Sequence, residues 1–193
     1  MKLVQFGAGS IGRSFIGQIF SKAGWEVVFV DIDQTVIDAL NARRRYRVVI
    51  KDRVERTIDV ENVRGVQARD IASVSREVAD ADLLATAVGQ EALPRIMRAI
   101  AAGLLERLRL SPGRPLDIVI CENMRDAAAF FRAALQKELR ILERGESGTA
   151  RPGRDGGAQS RTGAETRSRG VAAPPAGEDS TGPGEYPLER LVG

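Results

Sequence analysis

Three closely spaced glycines near the start of the chain have the types and spacing of a ligand-binding turn. Gly7, Gly9 and Gly12 form G-x-G-x-x-G, directly after the apolar run "KLVQF" and at the start of a helical pattern. In that context the first glycine permits a tight turn, the second lets the backbone approach a pyrophosphate, and the third allows close packing of the helix on the sheet. The helix N-terminus offers N–H groups and a partial positive charge to the diphosphate. We therefore predict a dinucleotide-binding turn, the alternative being a plain glycine turn between a strand and a helix.

An aspartate follows this turn at the distance that dinucleotide-binding units use. Asp31 ends the second apolar run, "EVVFVD", nineteen residues after Gly12. A carboxylate there can accept hydrogen bonds from both ribose hydroxyls of an adenosine, and it would repel a 2′-phosphate. The combination favours NAD over NADP, the alternative for Asp31 being a solvated residue of the turn after the strand. Asp33 is predicted to cap the next helix.

The other predicted cofactor contacts come from the same turn and from the end of a later strand. Ligands in open α/β sheets bind outside the carboxyl ends of the strands, so the small residues of "TAVG" would lie beside the nicotinamide ribose. Arg13 is a candidate for an anionic contact. The run "ARRRYR", residues 42–47, could also attract a phosphate, although a solvated helix end favoured by the helix dipole is the stronger interpretation. The predicted cofactor-binding residues are Gly7, Ala8, Gly9, Ser10, Ile11, Gly12, Arg13, Asp31, Thr86, Val88 and Gly89, and no metal site is predicted.

The segment "CENM" brings polar side chains to the end of the last predicted strand. Asn123 offers a carboxamide to the same crevice, with a helix N-cap as its alternative role. Glu122 could act as an acid or a base, or simply lie in solvent. Cys121 lies in an apolar strand and is predicted to be an inert core residue.

Strands alternate with helices over the first part of the chain, and this alternation predicts the fold that positions these residues. Apolar runs predict strands at Lys2–Phe6 and Glu26–Asp31 and within "DLLATAVG" and "LDIVICEN". The β-branched stretch "YRVVIKDRVERTIDV" predicts a small β insertion. The result is an α/β fold, a doubly wound parallel sheet of the Rossmann type. Helices are predicted for "QTVIDALNAR", "ALPRIMRAIAAGLLERL" and "DAAAFFRAALQKELRIL", and after the glycine turn, where Ile11, Phe15, Ile19 and Phe20 fall on one face.

The composition separates two regions and disfavours several classes of function. Residues 1–143 form the predicted NAD-binding domain, and 144–193 a predicted disordered tail that holds eleven of the 20 glycines and lacks any apolar period. The net charge of +3, from 29 basic and 26 acidic residues, does not favour a nucleic-acid partner. The single cysteine, with no leader and no apolar run of about 20 residues, predicts a cytoplasmic protein without a membrane segment. The chain contains no histidine, which excludes imidazole catalysis.

Over about its first 140 residues the sequence resembles the mannitol-1-phosphate 5-dehydrogenases, within the polyol-specific long-chain dehydrogenase/reductase family. The matching stretches are "FGAGSIGRSFIG", "VDIDQTVIDALNARRRYRV", "TAVG" and "IVICENMRDA", in that order. The resemblance implies hydride transfer between NAD and a sugar alcohol phosphate, interconverting D-mannitol 1-phosphate and D-fructose 6-phosphate. It also implies that the three glycines hold the diphosphate, that Asp31 holds the adenosine ribose, and that Asn123 helps to hold the developing oxyanion.

The resemblance does not extend to the residues that supply the family's general base. Family members continue into a mostly helical domain with a catalytic lysine, an asparagine and a histidine, whereas the last lysine here is Lys137. We therefore expect a cofactor-binding half, truncated or frame-shifted near Arg144 and inactive alone, because a carbinol proton has no positioned acceptor. A sugar alcohol phosphate is expected as a partner only if a catalytic domain is supplied. The alternatives are a non-catalytic NAD-binding module and a relative that acts on another polyol or on a sugar acid such as fructuronate.

Overall fold

Parallel strands form the main sheet of the protein, which we describe from a computed structural model covering residues 1–51 and 55–145. The strands are β1 (Lys2–Phe6), β2 (Glu26–Asp31), β3 (Arg45–Ile50), β4 (Arg56–Glu61), β5 (Val63–Gln67), β6 (Leu83–Thr86) and β7 (Asp117–Ile120). Five of them lie in the main sheet in the order β5-β2-β1-β6-β7, and β3 pairs with β4 in a separate antiparallel hairpin. The chain therefore begins in the middle of the sheet, builds outward to one edge and then returns to build the other. The predicted doubly wound parallel sheet and the β insertion are confirmed.

Helices connect the strands and cover both faces of the sheet. The first helical stretch contains a π-helical segment, Gly12–Gly17, that continues into α1 (Gln18–Lys22). The others are α2 (Gln34–Arg43), α3 (Ile71–Asp80), α4 (Leu93–Leu110) and α5 (Ala127–Glu143). Asp33 caps α2 as predicted, because its carboxylate accepts the N–H groups of Thr35 and Val36. The predicted tail, residues 144–193, lies outside the described residues apart from its first two positions.

The central strands are buried on both faces, as expected for a parallel sheet covered by helices. Successive side chains of a strand point to opposite faces. In β1, Val4 and Phe6 pack against one cluster of buried apolar residues, which α3, α4 and α5 complete. Leu3 belongs to the second cluster, on the other face, together with residues of the first helical stretch, α2 and the hairpin. Both clusters are mostly aliphatic.

Of the four large apolar residues that the spacing places on one face of the first helix, only Phe20 packs against the core, and the other three are exposed. Ile11, Phe15 and Ile19 are 52%, 57% and 45% exposed, whereas Gly12 and Gly17 are buried. A Cβ atom at Gly17 would overlap the ring of Phe29 and the hydroxyl of Tyr46. The helix therefore approaches the sheet through its glycine backbone. The apolar periodicity instead forms an exposed stripe.

Strand β5 and helix α3 were not predicted by the sequence patterns. Strand β5 is short, carries Arg64 and Gly65, and pairs with β2 at the edge of the sheet. Helix α3 is rich in serine and β-branched residues, which are weak helix formers. It is held by the Asp70 side chain, which accepts the N–H of Ser73, and by close packing on α4 at Gly103.

Candidate nucleotide-binding site

The three glycines of the turn after β1 have different physical surroundings. Gly7 has a φ of +91°, which favours glycine, and its N–H donates to the carbonyl of Val30 at 2.8 Å. A Cβ at Gly12 would overlap the carbonyl oxygen of Gly7, so the helix can leave the turn only with glycine there. A Cβ at Gly9 would have no atom within 4 Å. Packing therefore requires the first and third glycines, whereas the second borders open space.

Asp31 ties the end of β2 to this turn. Its Oδ2 accepts the N–H of Ala8 at 2.6 Å, and its Oδ1 accepts the N–H of Asp33 at 2.9 Å. An ionised carboxylate has about four lone-pair positions, so each oxygen retains one for a further donor. The side chain is thus fixed in orientation while it can still accept two hydrogen bonds from a ligand.

A cavity of about 660 Å³ opens at the carboxyl ends of the central strands and contains both features in its wall. This is the position at which open α/β sheets bind ligands. Apolar side chains of Ile32, Ala68 and Ile71 line the part that follows β2 and β5. Arg69 and Arg95, which the sequence patterns did not single out, add two guanidinium groups to the lining. The lining residues are Phe6, Gly7, Gly9, Val30, Asp31, Ile32, Ala68, Arg69, Ile71, Ala87, Val88, Ala92, Arg95, Ile96 and Ala99.

Glu122 holds the loop that follows β6. Its two carboxylate oxygens accept the N–H groups of Val88 at 2.9 Å and Gly89 at 2.8 Å. The loop needs glycine at position 89, where φ is +86°. Of the predicted contacts in this segment, Val88 lines the cavity, whereas Thr86 is fully buried within the sheet and does not. Glu122 therefore positions the loop beside the cavity, a role that required the tertiary structure to recognise.

Asn123 lies next to this loop, after the end of β7. Its side chain is exposed, and it does not cap α5, whose N-cap residue is Asp126. The oxyanion role therefore stays a prediction, with the capping alternative removed. The N–H of Cys121 donates to the carbonyl of Thr86 at 2.8 Å. Burial, and to a smaller extent Glu122, raises the pKa of the Cys121 thiol, as expected for an unreactive residue.

Two further residues near the turn, Arg13 and Gln5, lie outside the lining of this cavity. Arg13 lines a different cavity, so the described site does not place it among the cofactor contacts. Gln5 is fully buried beneath the turn, where its Nε2 donates to the carbonyl of Phe6 at 2.6 Å. Gln5 could have been recognised in the sequence as a polar residue inside an otherwise mostly apolar strand.

Comparison with known proteins agrees with this geometry. Residues 1–146 match the family model described as the mannitol dehydrogenase Rossmann domain. The chain belongs to the mannitol dehydrogenase family. This confirms the resemblance found in the sequence. A Rossmann domain of a dehydrogenase implies a nucleotide cofactor, and the cavity at the glycine turn lies where open α/β sheets bind ligands.

Relatives of this mannitol dehydrogenase Rossmann domain share its sequence over the same region. The mannitol-1-phosphate 5-dehydrogenase of Brevibacillus brevis is 48% identical over 124 residues, which cover 64% of this chain and 32% of the relative. The mannitol-1-phosphate 5-dehydrogenase of Enterococcus faecalis is 41% identical over 141 residues, which cover 72% of this chain and 37% of the relative. The chain therefore spans about a third of the length of these relatives.

A solved structure supports the fold of the family member. A UDP-glucose dehydrogenase from Pyrobaculum islandicum superposes with a TM-score of 0.52 at 18% identity, over 72% of this chain and 33% of that chain. At this identity the likeness concerns the fold alone. Among the helices of the described residues, none has the length and apolar character that crossing a bilayer requires.

Proposed function

We propose that this chain binds NAD and forms the cofactor-binding part of a mannitol-1-phosphate 5-dehydrogenase-type oxidoreductase. The observation that carries the proposal is one wall of the cavity, where open space at Gly9 lies beside the fixed carboxylate of Asp31. This arrangement suits a dinucleotide, because its diphosphate needs close approach to the backbone and its ribose needs a hydrogen-bond acceptor. When bound, NAD would supply the hydride acceptor of the reaction.

Each part of NAD has a candidate partner in this cavity. The helical backbone runs without a break from residue 10 to residue 22, so its first N–H groups have no intrahelical acceptor and face the turn. We assign the diphosphate to these groups and to Gly9. The two remaining acceptor positions of Asp31 match the two ribose hydroxyls. The adenine would lie against Ile32, Ala68 and Ile71.

Asp31 also supports NAD over NADP. A 2′-phosphate on the ribose would lie against a carboxylate that two backbone N–H groups already hold in place. The exposed guanidinium of Arg69 also lines the cavity, and its positive charge would attract the 2′-phosphate that the carboxylate of Asp31 repels. We expect the carboxylate to determine the cofactor preference, because a carboxylate at the end of β2 contacts the ribose in dinucleotide-binding units.

Fluorescence titration of NADH and NADPH against the purified chain tests this assignment. We compare the parent with Asp31→Ala and, as a matched control, Asp38→Ala, which removes an exposed aspartate of α2 outside the cavity. Hydrogen bonds to a charged group are worth about 1.5–3 kcal/mol each, so losing two should weaken NADH binding by about 100-fold or more. The control should bind as the parent does, and the parent should prefer NADH to NADPH. Unchanged affinity in Asp31→Ala would count against the ribose assignment.

We further propose that the substrate is a sugar alcohol phosphate, with D-mannitol 1-phosphate and D-fructose 6-phosphate as the interconverted pair. The names of the relatives and the position of Asn123 beside the cofactor loop support this. Asn123 would stabilise the developing oxyanion by donating a hydrogen bond. About two thirds of each relative's length lies outside the matched part. We therefore expect turnover only when a domain that supplies a general base is present.

A further inference from the structure

Three arginines that the nucleotide site does not use converge on a second cavity. Arg13 comes from the π-helical segment, Arg43 from the last turn of α2, and Arg45 from the start of β3. They line a hollow of about 210 Å³, together with Thr35, Val36, Ala39, Leu40 and Tyr46. The lining residues of this hollow, which we call the arginine cavity, are all different from those of the nucleotide cavity.

The charges of these arginines are not neutralised by the part of the chain that the structure describes. No lining residue of the arginine cavity is acidic, and its three arginines form no salt bridge with any residue in 1–51 or 55–145. Their neighbours in the same run behave differently, since Arg44 lies 4.0 Å from Glu26 and Arg47 lies 3.1 Å from Asp59. The arginines that face the cavity are thus those that lack a carboxylate partner.

Arg13 gives a second, independent indication of a missing ligand. Its Nε is buried and has no hydrogen-bond acceptor among the described residues. Burying an N–H donor of a charged group without an acceptor is unfavourable, so such groups are normally paired. The backbone of Arg13 is held in place, because the hydroxyl of Tyr46 donates to its carbonyl at 2.6 Å. The side chain therefore extends from a fixed backbone position, and its Nε–H lacks an acceptor among the described residues.

We propose that the arginine cavity binds a phosphate-class oxyanion, either inorganic phosphate or the phosphoryl group of a small metabolite. Guanidinium groups match the geometry of phosphate oxygens in paired hydrogen bonds, which is why arginine predominates at such sites. The hydroxyl of Thr35 adds another polar group to the wall. The hollow is larger than a single water needs and has room for one phosphate group.

Titration with inorganic phosphate at constant ionic strength, followed by NMR, tests the proposal without any nucleotide. The probe is the Arg13 side-chain Nε–Hε signal, together with the backbone amides around it. We expect a saturable shift with a dissociation constant in the millimolar range or below. Sodium chloride added to the same ionic strength should not reproduce it. A shift that is linear in phosphate, or that chloride reproduces, would overturn the proposal, because it would reflect only screening of exposed charge.

Matched variants separate the arginine cavity from other basic surface. The double variant Arg43→Gln with Arg45→Gln should weaken phosphate binding at least 10-fold. The control pair, Arg47→Gln with Arg109→Gln, removes the same charge from exposed arginines outside the cavity and should bind as the parent does. Equal affinity in the two double variants would contradict the site. Circular dichroism of both should match the parent, since all four side chains are exposed.

Two further arms identify the occupant and exclude the nucleotide turn as the place of binding. Gly9→Ala, which blocks the turn, should leave phosphate affinity unchanged, and a loss there would place the phosphate at the turn instead. D-Fructose 6-phosphate is titrated in parallel. If it binds more tightly than inorganic phosphate and loses affinity in the Arg43 and Arg45 double variant, a phosphorylated metabolite is the occupant. If D-fructose 6-phosphate binds more weakly, inorganic phosphate is the occupant.

Discussion

Replacing Gly9 by alanine should separate nucleotide binding from folding. A Cβ at this position would contact no atom within 4 Å, and Gly9 is not among the glycines with positive φ. Alanine therefore fits the backbone without strain. A glycine-to-alanine change at such a position lowers the entropy of the unfolded chain and stabilises a protein by about 0.4–1 kcal/mol. We expect the free energy of unfolding of Gly9→Ala to equal or slightly exceed that of the parent.

The same methyl group should strongly weaken nucleotide binding. Gly9 lines the cavity, and the space beside its Cα is where the diphosphate would approach the backbone. Displacing the diphosphate by the width of a methyl group costs at least one hydrogen bond between an N–H and a charged oxygen, about 1.5–3 kcal/mol. Since 1.4 kcal/mol is a factor of ten, NADH affinity should fall by about 10- to 150-fold.

Urea unfolding and NADH fluorescence titration on the same preparations measure the two effects, with Gly12→Ala as the comparison. A Cβ at Gly12 would overlap the carbonyl oxygen of Gly7, so that variant should lose about 1–3 kcal/mol of stability or more. Two results would refute the reasoning. The first is that Gly9→Ala binds NADH as tightly as the parent. The second is that Gly9→Ala is as unstable as Gly12→Ala.

Two stability predictions follow from polar groups inside the fold. Arg107 is 1% exposed and donates to four backbone carbonyl oxygens, so Arg107→Met should cost about 3 kcal/mol or more in urea unfolding, and a cost below about 1 kcal/mol would contradict this. Burial opposes ionisation of Glu77, but Arg64 and Lys2 outweigh it and lower its pKa. The stability that ionised Glu77 contributes is therefore fully present above pH 4.5, the pKa of this group in the unfolded chain. It is lost as the pH falls through the lower pKa of the folded state. In Glu77→Gln the free energy of unfolding should depend less on pH below 4.5, and an unchanged slope would argue against the pairing.

The sequence predicted the elements whose evidence is local. Strands β1 and β2 and helix α2 have the predicted bounds, because continuous apolar runs end in turn residues and Asp33 supplies a cap. Strand β5 was missed because its stability depends on distant partners. Arg64 in β5 donates to Glu26 on β2 and to Glu77 on α3. Gly65 leaves room for Ile37 of α2. Such contacts have no counterpart in local periodicity.

The residues of the site likewise divide into those that local sequence indicates and those that depend on distant contacts. The glycine turn and Asp31 follow from spacing, because the turn and the end of the next strand must meet at one edge of a parallel sheet. The sequence indicated Glu122 only as a polar group at the end of a strand. Its hydrogen bonds to residues 88 and 89 join the ends of two neighbouring strands, and local sequence does not show such a contact. Arg69 and Arg95 lie in segments with no motif. Arg69 follows the edge strand β5 and Arg95 lies in the first turn of α4, so only the tertiary structure brings them to the cavity.

The glycine motif contains less functional information than its three glycines suggest. Gly7 is required by its positive φ and Gly12 by its contact with the turn, so a strand and a helix packed this closely would need both even without a ligand. Gly9 meets no such requirement, and a fold without a ligand would accept alanine there. The inference of dinucleotide binding from G-x-G-x-x-G therefore depends on the middle glycine, and Asp31 strengthens it because its carboxylate borders the same open space.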